Sequence, residues 1–153
     1  MPPFKERIRV VFDTNVLVGY FLSRTKNSAN ARVWRMWRDE RELQMILSEE
    51  VLEEYLELLE RLGAKSEFVD KFEQRLRTRA TVTLVTPGPR PPQEVLGGRD
   101  PDDNHVLAAA RAGRAKFLIT NDRDLLDIAP HHKKLFRFRI LSPFEFLKWH
   151  AQK

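Results

Sequence analysis

The chain contains no cysteine and no long apolar run. The lack of cysteine excludes disulfide bonds, thiolate zinc sites and a cysteine nucleophile. No apolar stretch approaches the roughly 20 residues that a membrane-spanning helix needs. The first ten residues also lack the apolar core of a signal peptide. We therefore expect a cytoplasmic protein that is not attached to a membrane.

The composition is that of a globular protein of ordinary size. The chain has 153 residues, of which 42% are hydrophobic, and it carries a formal net charge of +5. A chain of this size can bury a substantial core, and no repeat or change in composition divides it. The sequence therefore predicts one domain over residues 1–153, with a basic surface suited to nucleic acid or another polyanion.

Short apolar stretches alternate with segments of helical periodicity. The predicted strands cover residues 8–12, 43–47, 81–85, 116–120 and 138–141. Helices are predicted at residues 29–41, from Ser48 to Gly63, from Ser66 onward, at 102–112, and after Pro143. The apolar pattern of the first of these helices extends to Leu43. Strands that alternate with helices indicate an α/β fold with a mainly parallel central sheet of about five strands.

Two aspartates directly follow predicted strands. Asp13 ends the stretch VVFD, and Asp122 follows the strand in FLITND. Either residue alone is typical of a turn or a helix cap. Because ligands bind at the carboxyl ends of parallel strands, two acids at equivalent strand ends favour a functional site.

A third acid lies on the flank of a predicted helix. The helix after Ser48 carries six glutamates, and its inward stripe includes Val51, Tyr55 and Leu59. Glu54 lies about 95° from the centre of that stripe, and the other five lie farther away. Glu54 is therefore the acid of this helix best placed to reach the site, although a surface ion pair would also explain it.

The segment RDPDDNHVLAAA supplies a fourth acid. Asp100 before Pro101 has the pattern of a helix N-cap. Asp103 lies about 15° from the centre of the apolar stripe that follows it. A carboxylate on a buried stripe is costly unless it is paired or binds a metal. His105 points away from this stripe and is predicted to lie at the surface.

These four acids suggest a site for a hard divalent cation. Carboxylates that converge without a cation repel one another, so that some of them stay protonated. Mg²⁺ and Mn²⁺ prefer oxygen ligands. Because the set contains no histidine, it does not have the composition of a typical zinc or non-haem iron site.

At these residues the sequence resembles the PIN-domain family of metal-dependent ribonucleases, which includes the VapC-type toxins. The matching segments are VVFDTNVLV, LSEEVLEEYLELL, DPDDNHVLAAA and FLITNDRDLL, in this order along almost the whole chain. The likeness is greatest to the PIN subgroup described as toxin components of toxin–antitoxin systems. It implies a three-layer α/β/α sandwich and hydrolysis of RNA phosphodiester bonds.

The resemblance also assigns residues to roles. It implies an acidic catalytic and metal-binding set of Asp13, Glu54, Asp103 and Asp122, with Mg²⁺ or Mn²⁺ as cofactor. Asn15 and Thr120 would hold the site in shape, and Asp100 and Asp124 match acids that the family uses less uniformly. Asn121 departs from the family pattern, in which many relatives have glycine or arginine there, and this puts the shape of that loop in doubt.

Basic residues near both ends of the chain are candidates for binding the RNA backbone. They are Arg24, Lys26, Lys133 and Lys134. The resemblance further implies a small antitoxin partner and a homodimer or higher homo-oligomer. Trp34 and Trp37 could supply part of such an interface, but their spacing favours core packing.

Two other functions are compatible with parts of the pattern. A catalytically weak PIN-fold module that binds or processes RNA would keep the fold without the metal chemistry. A phosphatase with Asp13 as nucleophile would normally carry a second acid two residues later, where this chain has Asn15.

Overall fold

The computed structural model describes residues 6–22, 27–88, 104–128, 133–134 and 136–153. Over these residues the chain forms a three-layer α/β/α sandwich around a parallel sheet of five strands. The strands are β1 (Ile8–Phe12), β2 (Leu43–Ser48), β3 (Val82–Val85), β4 (Phe117–Ile119) and β5 (Arg139–Leu141). Their order in the sheet is β3-β2-β1-β4-β5.

Seven helices connect and follow the strands within the described residues. They are α1 (Thr14–Leu22), α2 (Ala29–Arg38), α3 (Glu49–Arg61), α4 (Ser66–Thr78), α5 (Asn104–Ala112), α6 (Arg123–Leu126) and α7 (Pro143–Ala151). None of the helices in this described part is both long and apolar enough to cross a bilayer.

Helices cover both faces of the sheet. On one face, Phe12 contacts Trp34 of α2, and Phe117 contacts Phe146 of α7. On the other face, Gly113 at the end of α5 lies against Ile46 of β2. The apolar runs of the central strands follow from this arrangement, because a strand covered on both faces buries every side chain.

Helix α3 shows how local sequence sets the limits of an element. The Ser48 hydroxyl accepts a hydrogen bond from the Val51 amide, which satisfies one free donor of the first turn. Gly63 follows the helix with φ +84°, a left-handed conformation that glycine adopts without a side-chain clash. The sequence predicts both ends of α3 from these residues.

The structure corrects the sequence-based description at several elements. The sequence analysis predicts no helix for Thr14–Leu22 or Arg123–Leu126, yet these residues form α1 and α6. Helix α2 ends at Arg38 rather than residue 41, and Leu43 belongs to β2. Trp34 and Trp37 are buried, as their predicted core role requires.

Candidate metal centre

Asp13 lies where β1 meets α1. Its amide donates to the carbonyl of Ile119 at 2.9 Å, which extends the pairing of β1 with β4 by one residue. Its carbonyl accepts from the Val16 amide at 3.0 Å in the first turn of α1. The chain therefore changes directly from strand to helix at Asp13, and the side chain is placed at the carboxyl edge of the sheet.

Three donors hold the Asp13 carboxylate. The Thr120 hydroxyl donates to Oδ2 at 2.7 Å, and the Thr14 amide donates to Oδ1 at 2.7 Å. The Asn15 side-chain amide donates to Oδ2 at 3.2 Å. These contacts come from the ends of two adjacent strands and leave the carboxylate with little freedom to rotate.

Burial raises the pKa of the Asp13 carboxyl above its usual range, and the charge of Asp122 raises it further. The hydrogen bonds from Thr120, Thr14 and Asn15 act in the opposite direction, because they stabilise the ionised form. Burial has the largest effect. A buried carboxylate whose ionisation is disfavoured is the kind of group that a cation stabilises.

The loop after β4 is tied to the start of α1. The amide of Asn121 donates to Asn15 Oδ1 at 3.0 Å, and the amide of Asp122 donates to the Thr120 hydroxyl oxygen at 2.9 Å. The Asn121 side chain also donates to Asn30 Oδ1 at 2.8 Å. Asn121, which differs from the family pattern, therefore adds a contact to α2 and keeps this loop in place.

Asp122 is half-buried, and its charge acts on Asp13. It is also the N-cap of α6, because its Oδ1 accepts from the Asp124 amide at 2.9 Å. The two readings that the sequence leaves open, a cap and a site residue, are thus compatible in one side chain. Asp124 itself is exposed.

Glu54 is half-buried, whereas the other five glutamates of α3 are exposed. One of its oxygens, Oε2, accepts from the Thr14 hydroxyl at 3.4 Å. The other, Oε1, lies 2.5 Å from Nδ1 of His105. These contacts place Glu54 beside the start of α1, between α3 and α5.

Burial raises the pKa of the Glu54 carboxyl, and His105 counteracts this effect. The charge of Asp13 raises the pKa of Glu54 further. The two carboxyl groups therefore act on one another through space, although they come from different elements of the fold.

His105 and Tyr55 contact residues of the candidate site. The helical period of α5 predicts His105 at the surface, but its side chain is only 22% exposed and contacts Glu54, so this prediction is wrong. Tyr55 is fully buried, and its hydroxyl donates to the carbonyl of Phe12, the residue before Asp13. A tyrosine on an inward helical stripe needs such a partner, and this signal could have identified it.

Several predicted site residues fall outside the described part of the chain. These are Asp100, Asp103, Arg24 and Lys26. Lys133 and Lys134 are exposed, and the Lys133 ammonium donates to the Leu126 carbonyl at 2.8 Å. Among the described residues, no three His, Cys, Asp or Glu side chains are grouped closely enough to hold a metal.

Solved structures of low sequence identity share this fold. One is VapBC2 from Rickettsia felis, bound to a DNA fragment from its promoter, with 12% identity and a TM-score of 0.53. That match covers 88% of this chain and 98% of the other. Another is PAE2754 from Pyrobaculum aerophilum, with 15% identity, a TM-score of 0.53 and coverage of 96% of this chain and 91% of the other.

No curated protein matches the chain in a sequence search. A sequence model of the PIN domain, however, matches residues 9–124. This range begins in β1 and ends in α6, so it includes the two strand ends that carry Asp13 and Asp122. The chain therefore belongs to the PIN domain family.

Proposed function

We propose that this protein is a ribonuclease that hydrolyses RNA phosphodiester bonds with the aid of Mg²⁺ or Mn²⁺. The main support is the Asp13 carboxylate, which is half-buried, held by three donors and influenced by the charge of Asp122. None of the described lysines or arginines forms an ion pair with Asp13.

The chemical type of the donors suits a hard divalent cation, although the three described acids are not grouped closely enough to hold one by themselves. Asp13, Glu54 and Asp122 offer carboxylate oxygens, which Mg²⁺ and Mn²⁺ prefer. We place Asp103 with them as the fourth ligand, since α5 brings His105 to Glu54 and Asp103 is two residues earlier in the chain. A bound cation would supply positive charge to activate water and to stabilise the charge that develops on the phosphate.

The residues around the acids would keep them in position. Thr120 and Asn15 fix the orientation of Asp13, while His105 and Thr14 hold one oxygen each of Glu54. Such supporting contacts typically change metal affinity or activity by about 10–100-fold when they are removed. Asp100 and Asp124 are proposed as further acids near the site.

The RNA would be attracted by the basic surface of the protein. The net charge of +5 favours association with a polyanion. Lys133 and Lys134 are exposed, as phosphate-binding residues must be, and they follow α6. We assign the same role to Arg24 and Lys26.

We further propose that the protein is the toxin of a toxin–antitoxin pair and acts in the cytoplasm. The support is the likeness in fold to VapBC2 from Rickettsia felis. An antitoxin of small size would be its partner, and a homodimer or higher homo-oligomer its assembly.

Two alternative functions are less well supported. A phosphatase that used Asp13 as nucleophile would normally carry a second acid two residues later, and this chain has Asn15 there. An RNA-binding module without catalysis would have no need to keep two carboxyl groups with raised pKa values, Asp13 and Glu54, close enough to affect one another.

Cleavage of labelled RNA tests the proposal. Activity should require Mg²⁺ or Mn²⁺, disappear with EDTA, and disappear in Asp13→Asn and Asp103→Asn. Asp127→Asn is the control, because Asp127 is an exposed aspartate at the end of α6. Cleavage that survives both substitutions would refute the assignment of the site. Phosphate release from a monoester without RNA cleavage would favour the phosphatase, and RNA binding without cleavage in any metal would favour the binding module.

A further inference from the structure

Helices α1, α2 and α4 enclose a cleft that the proposed chemistry does not use. Its volume is about 270 Å³, and its described lining consists of aromatic residues, Leu76 and basic residues. We name it the α1–α2–α4 cleft. Ligand pockets for drug-sized molecules usually exceed about 300 Å³, so this cleft suits a smaller group.

Four aromatic rings of the cleft have similar orientations. Tyr20 and Trp34 are 5.5 Å apart at 27°, and Trp34 and Phe72 are 6.4 Å apart at 17°. Phe72 and Phe68 are also 6.4 Å apart, at 13°. Trp34 within the series is buried, whereas Phe68 at one end of it is 45% exposed. The series therefore ends in a ring on which a further planar group can stack.

The cleft is also strongly basic. Arg38, Lys71, Arg75 and Arg79 line it, and none of its described lining residues is acidic. Asp39 forms an ion pair with Arg38, whereas Lys71, Arg75 and Arg79 have no described carboxylate within ion-pair distance. A positive surface of this kind attracts an anion.

Arg79 shows that the cations of this region repel one another. Its guanidinium lies over the Trp37 ring, 4.7 Å from the centroid, and donates to the Arg38 carbonyl. Burial lowers the pKa of Arg79, and the charges of Arg41, Arg38 and Arg75 lower it further, while the charge of Asp39 acts in the opposite direction. A phosphate group in the cleft would relieve this repulsion.

The cleft lies close to the candidate metal centre along α1. Thr14 begins the helix beside Asp13, and Tyr20 follows six residues later. At about 1.5 Å per residue, this separation is about 9 Å along the helix axis. A nucleic acid strand at the metal centre could therefore continue into the cleft.

We propose that the α1–α2–α4 cleft binds a nucleotide of single-stranded RNA, with the base stacked on Phe68 and the adjoining phosphates held by Lys71 and Arg75. This inference rests on the proposed function, because the ligand is the same RNA. Aromatic rings that alternate with arginine and lysine are typical of surfaces that bind single strands. An acidic helical peptide would satisfy the charges, but it would not need a series of similarly oriented rings.

Binding measurements with the full chain test the stacking. An Asp13→Asn background prevents cleavage, and fluorescence anisotropy follows a labelled oligouridylate and an abasic oligomer with the same phosphates. Phe68→Ala should weaken binding of oligouridylate about tenfold and leave the abasic oligomer unaffected. Phe68→Trp should restore the affinity, because it restores a stacking surface. Phe144→Ala is the control, since Phe144 is an exposed ring on α7, outside the cleft.

The salt dependence of binding tests the phosphate contacts. Arg75→Gln should reduce the slope of log affinity against log salt by about 0.7, the value for one phosphate contact on a single strand. Arg77→Gln on the same helix is the matched control. Arg77 does not line the cleft and pairs with Glu49 and Glu73 instead.

Three results would overturn the inference. In the first, Phe68→Ala leaves the affinity for oligouridylate unchanged. In the second, Phe68→Ala lowers the affinities for oligouridylate and for the abasic oligomer equally. In the third, Phe68→Ala abolishes binding of a synthetic Leu- and Glu-rich amphipathic helix while RNA binding stays intact. The last result would assign the cleft to a protein partner. RNA cleavage by the wild-type protein separates the two proposals. If the wild type cleaves RNA and any of these results is found, only the proposed RNA binding in the cleft is refuted. If RNA binding depends on Phe68 but the wild type does not cleave RNA, only the proposed nuclease function is refuted.

Discussion

The Thr120 hydroxyl donates a 2.7 Å hydrogen bond to the Asp13 carboxylate, although the two residues are 107 positions apart in the chain. The two residues lie close together because β1 and β4 are adjacent parallel strands, with Phe12 opposite Ile119. Thr120 also accepts from the Asp122 amide. One buried hydroxyl thus links two of the proposed metal ligands.

Replacing Thr120 with valine should impair the site and preserve the fold. Valine keeps the shape of the side chain but removes the hydroxyl that holds Asp13 and Asp122. We expect Mn²⁺ affinity, measured by calorimetry, and RNA cleavage to fall by about 10–100-fold. The circular dichroism spectrum should not change.

Thr81→Val is the matched control for this substitution. Thr81 is as deeply buried as Thr120 but precedes β3, at the opposite edge of the sheet. Its hydroxyl has no hydrogen-bond partner among the residues that the structure describes. Its removal should leave activity unchanged and raise the free energy of unfolding by up to about 1 kcal/mol. Equal losses of activity in both variants would show that Thr120 has no specific role.

Tyr55→Phe should weaken the link between α3 and β1. The substitution removes the buried hydroxyl that donates to the Phe12 carbonyl. Since that carbonyl is left with one donor fewer, the free energy of unfolding in urea should fall by about 1–2 kcal/mol. Mn²⁺ affinity should also fall, because Tyr55 is the neighbour of Glu54 in α3.

The second tyrosine of the chain provides the comparison. The Tyr20 hydroxyl accepts from Arg38 at the α1–α2–α4 cleft and does not contact the acids. Tyr20→Phe should therefore leave Mn²⁺ affinity unchanged. A larger loss of Mn²⁺ affinity in Tyr20→Phe than in Tyr55→Phe would contradict the positioning role of Tyr55.

The sequence predicts those parts of the fold that have a strong local signal. The strand at Ile8–Phe12 follows from an apolar, β-branched run, and α3 follows from its periodicity and its capping residues. Helix α1 is missed because its sequence TNVLVGYFL is apolar on nearly every face, and such a segment shows no period that separates helix from strand. Helix α6 has only four residues.

Contacts between elements are harder to predict than the elements. The angular position of Glu54 on α3 correctly indicates that it reaches inward. The position of His105 on α5 indicates the surface, because a helical period describes only the face that packs on the sheet. His105 meets Glu54 because α3 and α5 are neighbours, and that arrangement depends on the whole fold.

Gly113→Ala should destabilise the packing of α5 on the sheet. A Cβ at this position would lie 3.1 Å from Cβ and Cγ1 of Ile46, and closer still to its Cγ2. Ile46 is buried in β2 and has no room to move, so the free energy of unfolding in urea should fall by about 1–3 kcal/mol.

RNA cleavage should fall along with stability in Gly113→Ala, because α5 carries His105. Gly88→Ala provides the control, since no described heavy atom lies within 4 Å of a Cβ at that position. Its effect should stay within about 0.5 kcal/mol. Equal stability of the two variants would contradict the inference that α5 packs too closely on β2 to accept a side chain at Gly113.

The stability of the metal-free protein should decrease as pH rises from the ordinary carboxyl range through the raised pKa values of Asp13 and Glu54. Both pKa values are higher in the folded protein than their usual values, so the folded state binds more protons over that interval. Folding stability then falls with increasing pH and levels off above both folded pKa values. Asp39 and Glu49 have lowered pKa values and act in the opposite direction.

Unfolding in urea with EDTA, at a series of pH values, measures the effect for the wild type and for Asp13→Asn. The contributions of Asp39 and Glu49 are common to both proteins, so the difference between the two profiles reports Asp13 together with its effect on Glu54. The wild type should lose stability relative to the variant as pH rises. Mn²⁺ at one hundred times its dissociation constant should add about 2.7 kcal/mol to the wild type near neutral pH, because it binds the folded state alone. Parallel profiles would show that burial does not disfavour the ionisation of Asp13, and equal stabilisation of both proteins by Mn²⁺ would show that Asp13 is not a ligand.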